Sequence, residues 1–170
     1  MTDPLHLLQQ RLAALESENA IRACMNRYMF LCDELGAGSP LGELAGLFTE
    51  DAVWEGKGAK YSAAFGGYRG RDQIQAMFAK YMVEPAHFAL NVHFLTSELI
   101  QVQGDTARGS WVMLQTSTFA SGASHLNSAR LSIEFRQQQG TWRMAHFVTE
   151  NLFSRPVTAW NDSAQLPVPK

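Results

Sequence analysis

The spacing of apolar residues changes once along this chain, and the change limits the folds it can adopt. Before His87 apolar residues recur mainly every three or four positions, as on a helix face, and one short run, DAVWEG, predicts a strand. From His87 onward the period is two. Because no strand–helix–strand alternation follows, the order predicts an α+β domain with helices on one face of a strongly curved antiparallel sheet.

The helical half divides into segments. A long helical pattern ends at residues 36–40, where glycines and Pro40 interrupt it, and PLGELAGLF predicts a short second helix. Four glycines without a period at residues 56–67 predict a mobile loop. The segment YRGRDQIQAMFAKYM then predicts another helix, with Gly70 or Asp72 as its cap and with Phe78 on its inner face.

The second half predicts two long hairpins. One turns at Gly104-Asp105 and the other around residues 138–140, each between runs of alternating residues. Residues 155–170 contain three prolines and predict a surface tail. We expect an apolar patch on the outward sheet face, which would favour a homodimer, from residues such as Trp111, Met113 and Phe119.

Length and charge exclude several classes of protein. A chain of 170 residues predicts one domain, here residues 1–170 with a core of about 18–153. With 14 basic and 16 acidic residues and no basic cluster, we expect no nucleic-acid partner. Cys24 and Cys32 fit neither a disulfide framework nor a zinc site, and no apolar run suits a membrane span, so a cytoplasmic protein is expected.

The strand LNVHFLTSEL, residues 90–99, places a histidine among apolar residues. Simple alternation puts His93 on one face with Asn91, Ser97 and Leu99. A histidine there requires a hydrogen-bond partner, and imidazole is the side chain most readily used as a proton carrier near neutral pH. From spacing alone, an ordinary core histidine bonded to a backbone carbonyl is the simpler interpretation.

Five motifs in order resemble SnoaL-like proteins of the nuclear-transport-factor-2-like superfamily: NRYMFLCDEL, LAGLFTEDAVWEG, YRGRDQI, VHFLTSELIQVQGDTARG and GTWRMAHF. The resemblance covers roughly residues 18 to 153. It implies a cone-shaped α+β barrel, in which a curved sheet and three helices enclose a pocket. The superfamily includes scytalone dehydratase, lindane dehydrochlorinase, isomerases, cyclases, the β subunits of ring-hydroxylating dioxygenases and non-enzymes.

In the scytalone dehydratase and lindane dehydrochlorinase branches, the resemblance implies a catalytic pair at Asp33 and His93. Bonded to the Nδ1–H, Asp33 would leave Nε2 as the base and would stabilise the imidazolium. This sequence departs from those enzymes elsewhere. Cys32 and Trp54 stand where scytalone dehydratase has tyrosines. The second histidine of that enzyme falls near Gln115 to Ser117, and its pocket asparagine aligns near Leu131. Tyr28 replaces a lysine of the lindane enzyme.

Further candidates follow from residue type. Tyr28 could donate to a developing oxyanion, while Trp54, Phe78 and Leu131 would wall a pocket. The alternative for Tyr28 and Trp54 is a role as core aromatic residues, and for Trp54 that is the favoured interpretation. Gln115 and Arg130 lie mid-strand among apolar residues and could anchor a polar group. The remaining histidines show no metal-ligand spacing, and GxGxxG is absent, so we expect neither a metal nor a cofactor.

The leading hypothesis is a cofactor-independent lyase or isomerase that uses His93 and Asp33 on a small, largely apolar cyclic molecule. Two alternatives remain open: a protein that binds an apolar ligand unchanged, and a β-type subunit of a ring-hydroxylating oxygenase whose metal lies on another chain. Resemblance of fold does not separate them.

Overall fold

The computed structural model describes residues 3–158 and residue 160, and within them helices come first and long strands follow. The elements are α1 (Pro4–Asp33), α2 (Leu41–Gly46), β1 (Phe48–Lys57), α3 (Gly58–Ala64), β2 (Gly67–Arg69), α4 (Arg71–Ala79), β3 (Phe88–Gln103), β4 (Thr106–Phe119), β5 (Ser124–Gln138) and β6 (Thr141–Val157). The predicted α+β order and both hairpins are therefore confirmed. Gly70 is the residue that precedes α4.

The six strands form one strongly curved sheet that does not close, in the order β2-β1-β6-β5-β4-β3. Its strands pair antiparallel except for β1 and β6, which run parallel. The predicted antiparallel pairing holds for the run of long strands β3–β6, and the parallel β1–β6 pair is an addition to it. The reason is topological. In the sheet β6 lies between β1 and β5, and its hairpin with β5 fixes the direction in which it runs beside β1.

The core lies between the C-terminal half of α1 and the inner sheet face. Ile21, Met25 and Tyr28 are buried along the helix, and Leu131 and Phe147 are buried on the strands that face it. Burial of such side chains contributes roughly 1.5–3 kcal/mol each. The second half of α1 is thereby held against the sheet, and this packing brings the C-terminal end of the helix to β3.

Residues 56–67, predicted as a mobile loop, instead contain the end of β1, α3 and the start of β2. Gly58 is the first residue of α3, and the other three glycines lie just outside its two ends. Gly66 follows the helix with a φ of 64°, a conformation that favours glycine. A Cβ on Gly56 would lie 2.7 Å from the carbonyl oxygen of Tyr61, so glycine at this position lets α3 lie directly on β1.

Simple alternation along β3 fails at Ser97. That residue has a φ of 52°, and the pairing with β4 shifts between Thr96 and Leu99, which identifies a β-bulge. The bulge inserts one residue and reverses the faces that follow it. Leu99 is exposed, and Glu98 turns inward to accept hydrogen bonds from Arg22 of α1 at 2.8 and 2.6 Å. Leu99 therefore does not share a face with His93.

The outward-facing residues were predicted incorrectly. Trp111 and Met113 are buried in the core, at 3% and 6% exposure, and Phe119 is half-buried against Phe88. Period-two alternation does not by itself say which face is inner, and the strand was assigned the wrong one. Phe94 and Phe153 are exposed instead. The homodimer stays a prediction, without two of the residues first named for it.

The predicted surface tail begins later than expected, because β6 continues to Val157. Beyond it, Trp160 donates from its indole nitrogen to the carbonyl oxygen of Ser117 at 3.4 Å. Residue 159 and residues 161–170 lie outside the described residues. None of the described helices is long and apolar enough to span a membrane.

Candidate active site

The predicted pair, Asp33 and His93, is in contact. Asp33 is the last residue of α1, and its Oδ1 lies 2.5 Å from His93 Nδ1 and 3.0 Å from the backbone nitrogen of His93. A carboxylate can only accept hydrogen bonds, so Nδ1 carries the proton and Nε2 is the unprotonated nitrogen of a neutral ring. The Asp33 carboxylate thus anchors the backbone of β3 at His93 and also fixes the tautomer of the imidazole.

The position of Asp33 explains why it needs these donors. No basic residue lies in the last turn of α1, and the C-terminal end of a helix disfavours an anion by about 0.3–1 kcal/mol. Two N–H groups of His93 offset that cost, and the offset grows when the imidazole is protonated. A carboxylate at this helix end is therefore suited to stabilise an imidazolium on β3.

Asn91, two residues before His93 on the same strand face, forms a second link between α1 and β3. Its Nδ2 donates to the carbonyl oxygen of Cys32 at 3.1 Å, and its Oδ1 accepts from Gln115 Nε2 and Ser117 Oγ, both at 2.8 Å. Because the Cys32 carbonyl can only accept, the orientation of both amides follows. The oxygen of Gln115 is left available. Sequence reasoning missed Asn91, although a buried polar residue two positions from a candidate histidine is a usable signal.

An apolar cavity of about 140 Å³ lies beside His93, lined by residues of α1, α3, α4 and the inner sheet face and open on one side. Six of the eight predicted site residues line it: Tyr28, Trp54, Phe78, His93, Gln115 and Leu131. Asp33 lies behind the imidazole. The sequence did not single out the other wall residues, among them Tyr61, Phe65, Tyr81, Phe88, Met113, Phe147 and Thr149.

The prediction that Arg130 belongs to the pocket is wrong, because Arg130 is exposed and does not line the cavity. Its neighbour Leu131 is buried at 1% exposure and faces the cavity. Successive residues of a strand point to opposite faces, so these two could not both be pocket residues. The polar anchor on this wall is Gln115, which pairs directly with His93 across β3 and β4.

Aromatic side chains form the far wall. Trp54 stacks on Phe147 with ring centroids 5.8 Å apart and planes within 4°, and its indole nitrogen donates to the Tyr28 hydroxyl at 3.2 Å. That hydroxyl accepts from Trp54 and keeps its own proton for another acceptor. Trp54 therefore forms part of the cavity wall and also orients the Tyr28 hydroxyl.

The other titratable groups that line the cavity stay protonated near neutral pH. Burial raises the pKa of the Cys32 thiol to about 12 and holds the pKa of the Tyr28 phenol well above its usual range. Burial also raises the pKa values of Tyr61 and Tyr81. A thiol or phenol that keeps its proton can donate a hydrogen bond but cannot act as a base. His93 is the lining residue suited to accept a proton.

A second histidine–carboxylate pair lies on the outer face of the sheet. His146 Nε2 is 2.8 Å from Glu55 Oε1, and Lys57 Nζ lies 3.4 Å from the same oxygen. Neither His146 nor Glu55 lines the cavity beside His93. Among the described residues no cluster of three histidine, cysteine or acidic side chains is placed to hold a metal ion.

Several solved structures share the fold. A hexachlorocyclohexane dehydrochlorinase of Novosphingobium barchaimii is 19% identical, with 91% of this chain and 99% of that chain covered and a TM-score of 0.72. A protein of Novosphingobium aromaticivorans that carries a scytalone dehydratase assignment is 18% identical, with 92% and 96% covered and a TM-score of 0.71. A nuclear-transport-factor-2-like protein with a cystatin-like fold, from the same organism, is 25% identical, with 89% and 92% covered and a TM-score of 0.66.

No curated protein sequence matches the chain. A family model described as the SnoaL-like domain matches residues 13–148. That match spans most of the chain and includes α1 from Ala13 onward, the cavity lining except Thr149, and both members of the Asp33–His93 pair. The chain therefore belongs to the SnoaL-like domain family.

Proposed function

We propose that this protein is a cofactor-independent lyase that removes a proton from a small, largely apolar ring compound and eliminates a neighbouring leaving group. The observation that carries the proposal is the position of His93, which lines an apolar cavity while Asp33 binds its Nδ1. A base with a free Nε2, a carboxylate behind it and an apolar space in front are the parts that proton abstraction requires.

The elimination uses this chain's residues in two steps. His93 Nε2 takes a proton from a carbon next to a carbonyl, and the C–H electron pair moves toward the carbonyl oxygen, where the Tyr28 hydroxyl donates a hydrogen bond. The electron pair then returns to form a C=C bond as the leaving group departs from the next carbon. The imidazolium gives its proton to a leaving hydroxide, so that water is released and His93 is neutral again.

The cavity limits the size of the substrate. Its volume of about 140 Å³ is close to the roughly 150 Å³ apolar cavity that holds benzene in an engineered protein. A single six-membered ring with small substituents fits such a space. The polar groups at its wall, Gln115, Tyr28 and His93, then select a ring that bears one or two oxygen or halogen atoms.

The names of the structural relatives support elimination, since dehydrochlorination and dehydration both remove a proton and a leaving group from adjacent carbons. The substrates of those proteins are not carried over. Cys32 has a pKa of about 12 and Trp54 has no hydroxyl, so neither replaces the tyrosines expected from the scytalone dehydratase resemblance. Tyr28 is the hydroxyl that the cavity offers in their place.

Two ring compounds test the proposal. Purified protein is incubated with 3-hydroxycyclohexanone, whose dehydration gives 2-cyclohexenone, and separately with 3-chlorocyclohexanone, whose dehydrochlorination gives the same enone and releases chloride. Product absorbance, chloride release and deuterium exchange from D₂O at the ring carbons are measured for wild type and His93→Gln. We expect exchange or elimination with at least one probe in wild type and none in the variant. Tight binding of a ring ketone with no exchange and no product would instead indicate a binding protein.

A further inference from the structure

The first four turns of α1 stand away from the rest of the protein. Every residue from 3 to 16 is exposed, and the first buried residue of the helix is Ile21. We call residues 4–16 the N-terminal arm. The arm is a regular helix from its first turn, because Asp3 Oδ1 accepts a hydrogen bond from the backbone nitrogen of Leu5 at 3.0 Å and Pro4 occupies the first helical position.

Four leucines form a single stripe along the arm. Leu5, Leu8, Leu12 and Leu15 are separated by three, four and three residues, which is the spacing of the a and d positions of a coiled coil. Their exposed fractions are 59%, 61%, 54% and 57%. The stripe ends at Asn19, a polar residue at the next a position. A short helix of this kind is marginal in water unless its apolar stripe is covered.

The stripe faces away from the body of the protein. At about 100° of rotation per residue, the leucines lie on roughly the opposite side of α1 from Ile21, Tyr28 and Cys32, which pack into the core. Among residues 3–158 and residue 160, none covers the stripe. A second helix can approach it without contact between the two bodies.

We propose that the N-terminal arm pairs with the same arm of a second copy of this chain, in parallel and in register, as a short coiled coil. Charge selects this partner and this direction. With Leu5 at position a, Arg11 occupies position g and Glu16 the following e position. In a parallel pair each Arg11 faces the Glu16 of the other copy, so two complementary contacts form across the stripe. An antiparallel pair with Leu5 opposite Leu15 brings the two Arg11 side chains close together.

This contact is separate from the sheet-face dimer expected from the sequence and is independent of the proposed chemistry. A dimer through the outer sheet face leaves the two arms apart. A parallel coiled coil brings the same residue of both arms together at each a and d position. Symmetric cross-linking at one position of the arm distinguishes the two arrangements without any activity measurement.

The direct test compares Leu12→Cys, on the stripe, with Gln10→Cys, on the opposite side of the arm. Both positions are exposed, and the native Cys24 and Cys32 are buried with pKa values of about 12, so they do not compete as thiolates. We expect Leu12→Cys to form a disulfide-linked dimer at least about tenfold faster under mild oxidation, since pairing raises the local thiol concentration. Equal rates, or rapid linkage of Gln10→Cys, would overturn the proposal.

Two further variants test the stripe and its charges in the Leu12→Cys background. Leu8→Glu lies on the stripe, whereas Leu7→Glu alters an exposed leucine beside it, so only Leu8→Glu is expected to abolish rapid cross-linking. Arg11→Glu alone places four acidic side chains across the seam and should slow the reaction, and Arg11→Glu with Glu16→Arg should restore it. Loss of linkage in Leu7→Glu as well, or no recovery in the double charge reversal, would show that this parallel seam does not form.

Discussion

The protein holds two histidine–carboxylate pairs on opposite faces of one sheet, and they differ in their surroundings more than in their contacts. His93 and Asp33 are 2.5 Å apart, with side chains 11% and 22% exposed. His146 and Glu55 are 2.8 Å apart, with side chains 33% and 30% exposed. Each pair, taken alone, is a histidine hydrogen-bonded to a carboxylate. Contact between the two groups therefore does not identify a catalytic base.

What separates the pairs is the space in front of the imidazole and the nitrogen that faces it. His93 binds its carboxylate through Nδ1 and lines an apolar cavity, whereas His146 uses Nε2 and lines an open groove on the outer sheet face, whose wall includes the charged side chains of Arg108 and Glu134. Glu55 is also shared with Lys57. A ring compound that fills the apolar cavity displaces water from beside His93, and electrostatic interactions are stronger where water is displaced. The outer pair has the geometry of a surface cross-strand contact.

The largest effect is expected from removing each histidine in turn. His93→Ala should lower kcat/KM on an identified substrate by about 10²–10⁴-fold, the usual contribution of a general base. His146→Ala should leave kcat/KM unchanged, because that residue does not line the cavity. Steady-state kinetics and thermal unfolding of both variants check this. Equal losses in the two variants would remove the distinction between the pairs.

The second effect concerns the carboxylate of each pair. Asp33→Asn removes the charge that stabilises the imidazolium formed on proton abstraction, so kcat/KM should fall about tenfold or more. Glu55→Gln alters a carboxylate that does not line the cavity, and its kcat/KM should match wild type. Steady-state kinetics and thermal unfolding of the two variants measure this. Full activity in a folded Asp33→Asn variant would show that the carboxylate does not act through His93.

A smaller effect is expected at the cross-strand neighbours of the two histidines. Gln115 pairs with His93 and lines the cavity, while Glu134 pairs with His146 on the outer face. Gln115→Leu should raise KM by about 2- to 10-fold, the effect of one hydrogen bond, with little change in kcat. Glu134→Gln should change neither constant. A fall in kcat without a change in KM would indicate that Gln115 acts on the transition state and not on binding.

The smallest effect is on stability at the outer pair. Partial burial alone would raise the pKa of Glu55, but the hydrogen bond with His146 and the charge of Lys57 outweigh it, and the pKa is lowered. A lowered folded-state pKa stabilises the protein above the ordinary carboxyl range, and this contribution is lost as pH falls through the folded-state pKa. Glu55→Gln should therefore reduce the free energy of unfolding at pH 7 by less than about 1 kcal/mol, with no difference at low pH. Urea titrations at both pH values measure it.

The sequence predicted the elements whose signals are local. The change of period gave the order of helices and strands, and Gly104-Asp105 located the first hairpin. It did not predict α3, because glycines at the ends of a short helix look like those of a loop. Nor did it predict the bulge at Ser97, because that residue lies in a run with high strand propensity. The reversal of faces in β3 depends on pairing with β4, which no local pattern records.

For the site, the residues alone favoured a solvated Asp33 and an ordinary core His93, and only the resemblance to SnoaL-like proteins made the Asp33–His93 pair the leading hypothesis. The structure adds what depends on long-range packing. Asn91 binds Gln115 only after β3 and β4 pair, and Arg130 is excluded by the orientation of β5. The exposed and inner faces of a strand cannot be distinguished where both carry apolar and polar residues.

The parallel pairing of β1 with β6 has a consequence for protein synthesis. Trp54 pairs with Phe147, and both wall the cavity, but β6 is translated after every other described element. β6 is also the strand that joins β1 and β2 to β5, β4 and β3. A nascent chain without residues 141–157 therefore cannot form the continuous sheet, and domains generally fold as units. The cavity can be completed only after the last strand has been translated.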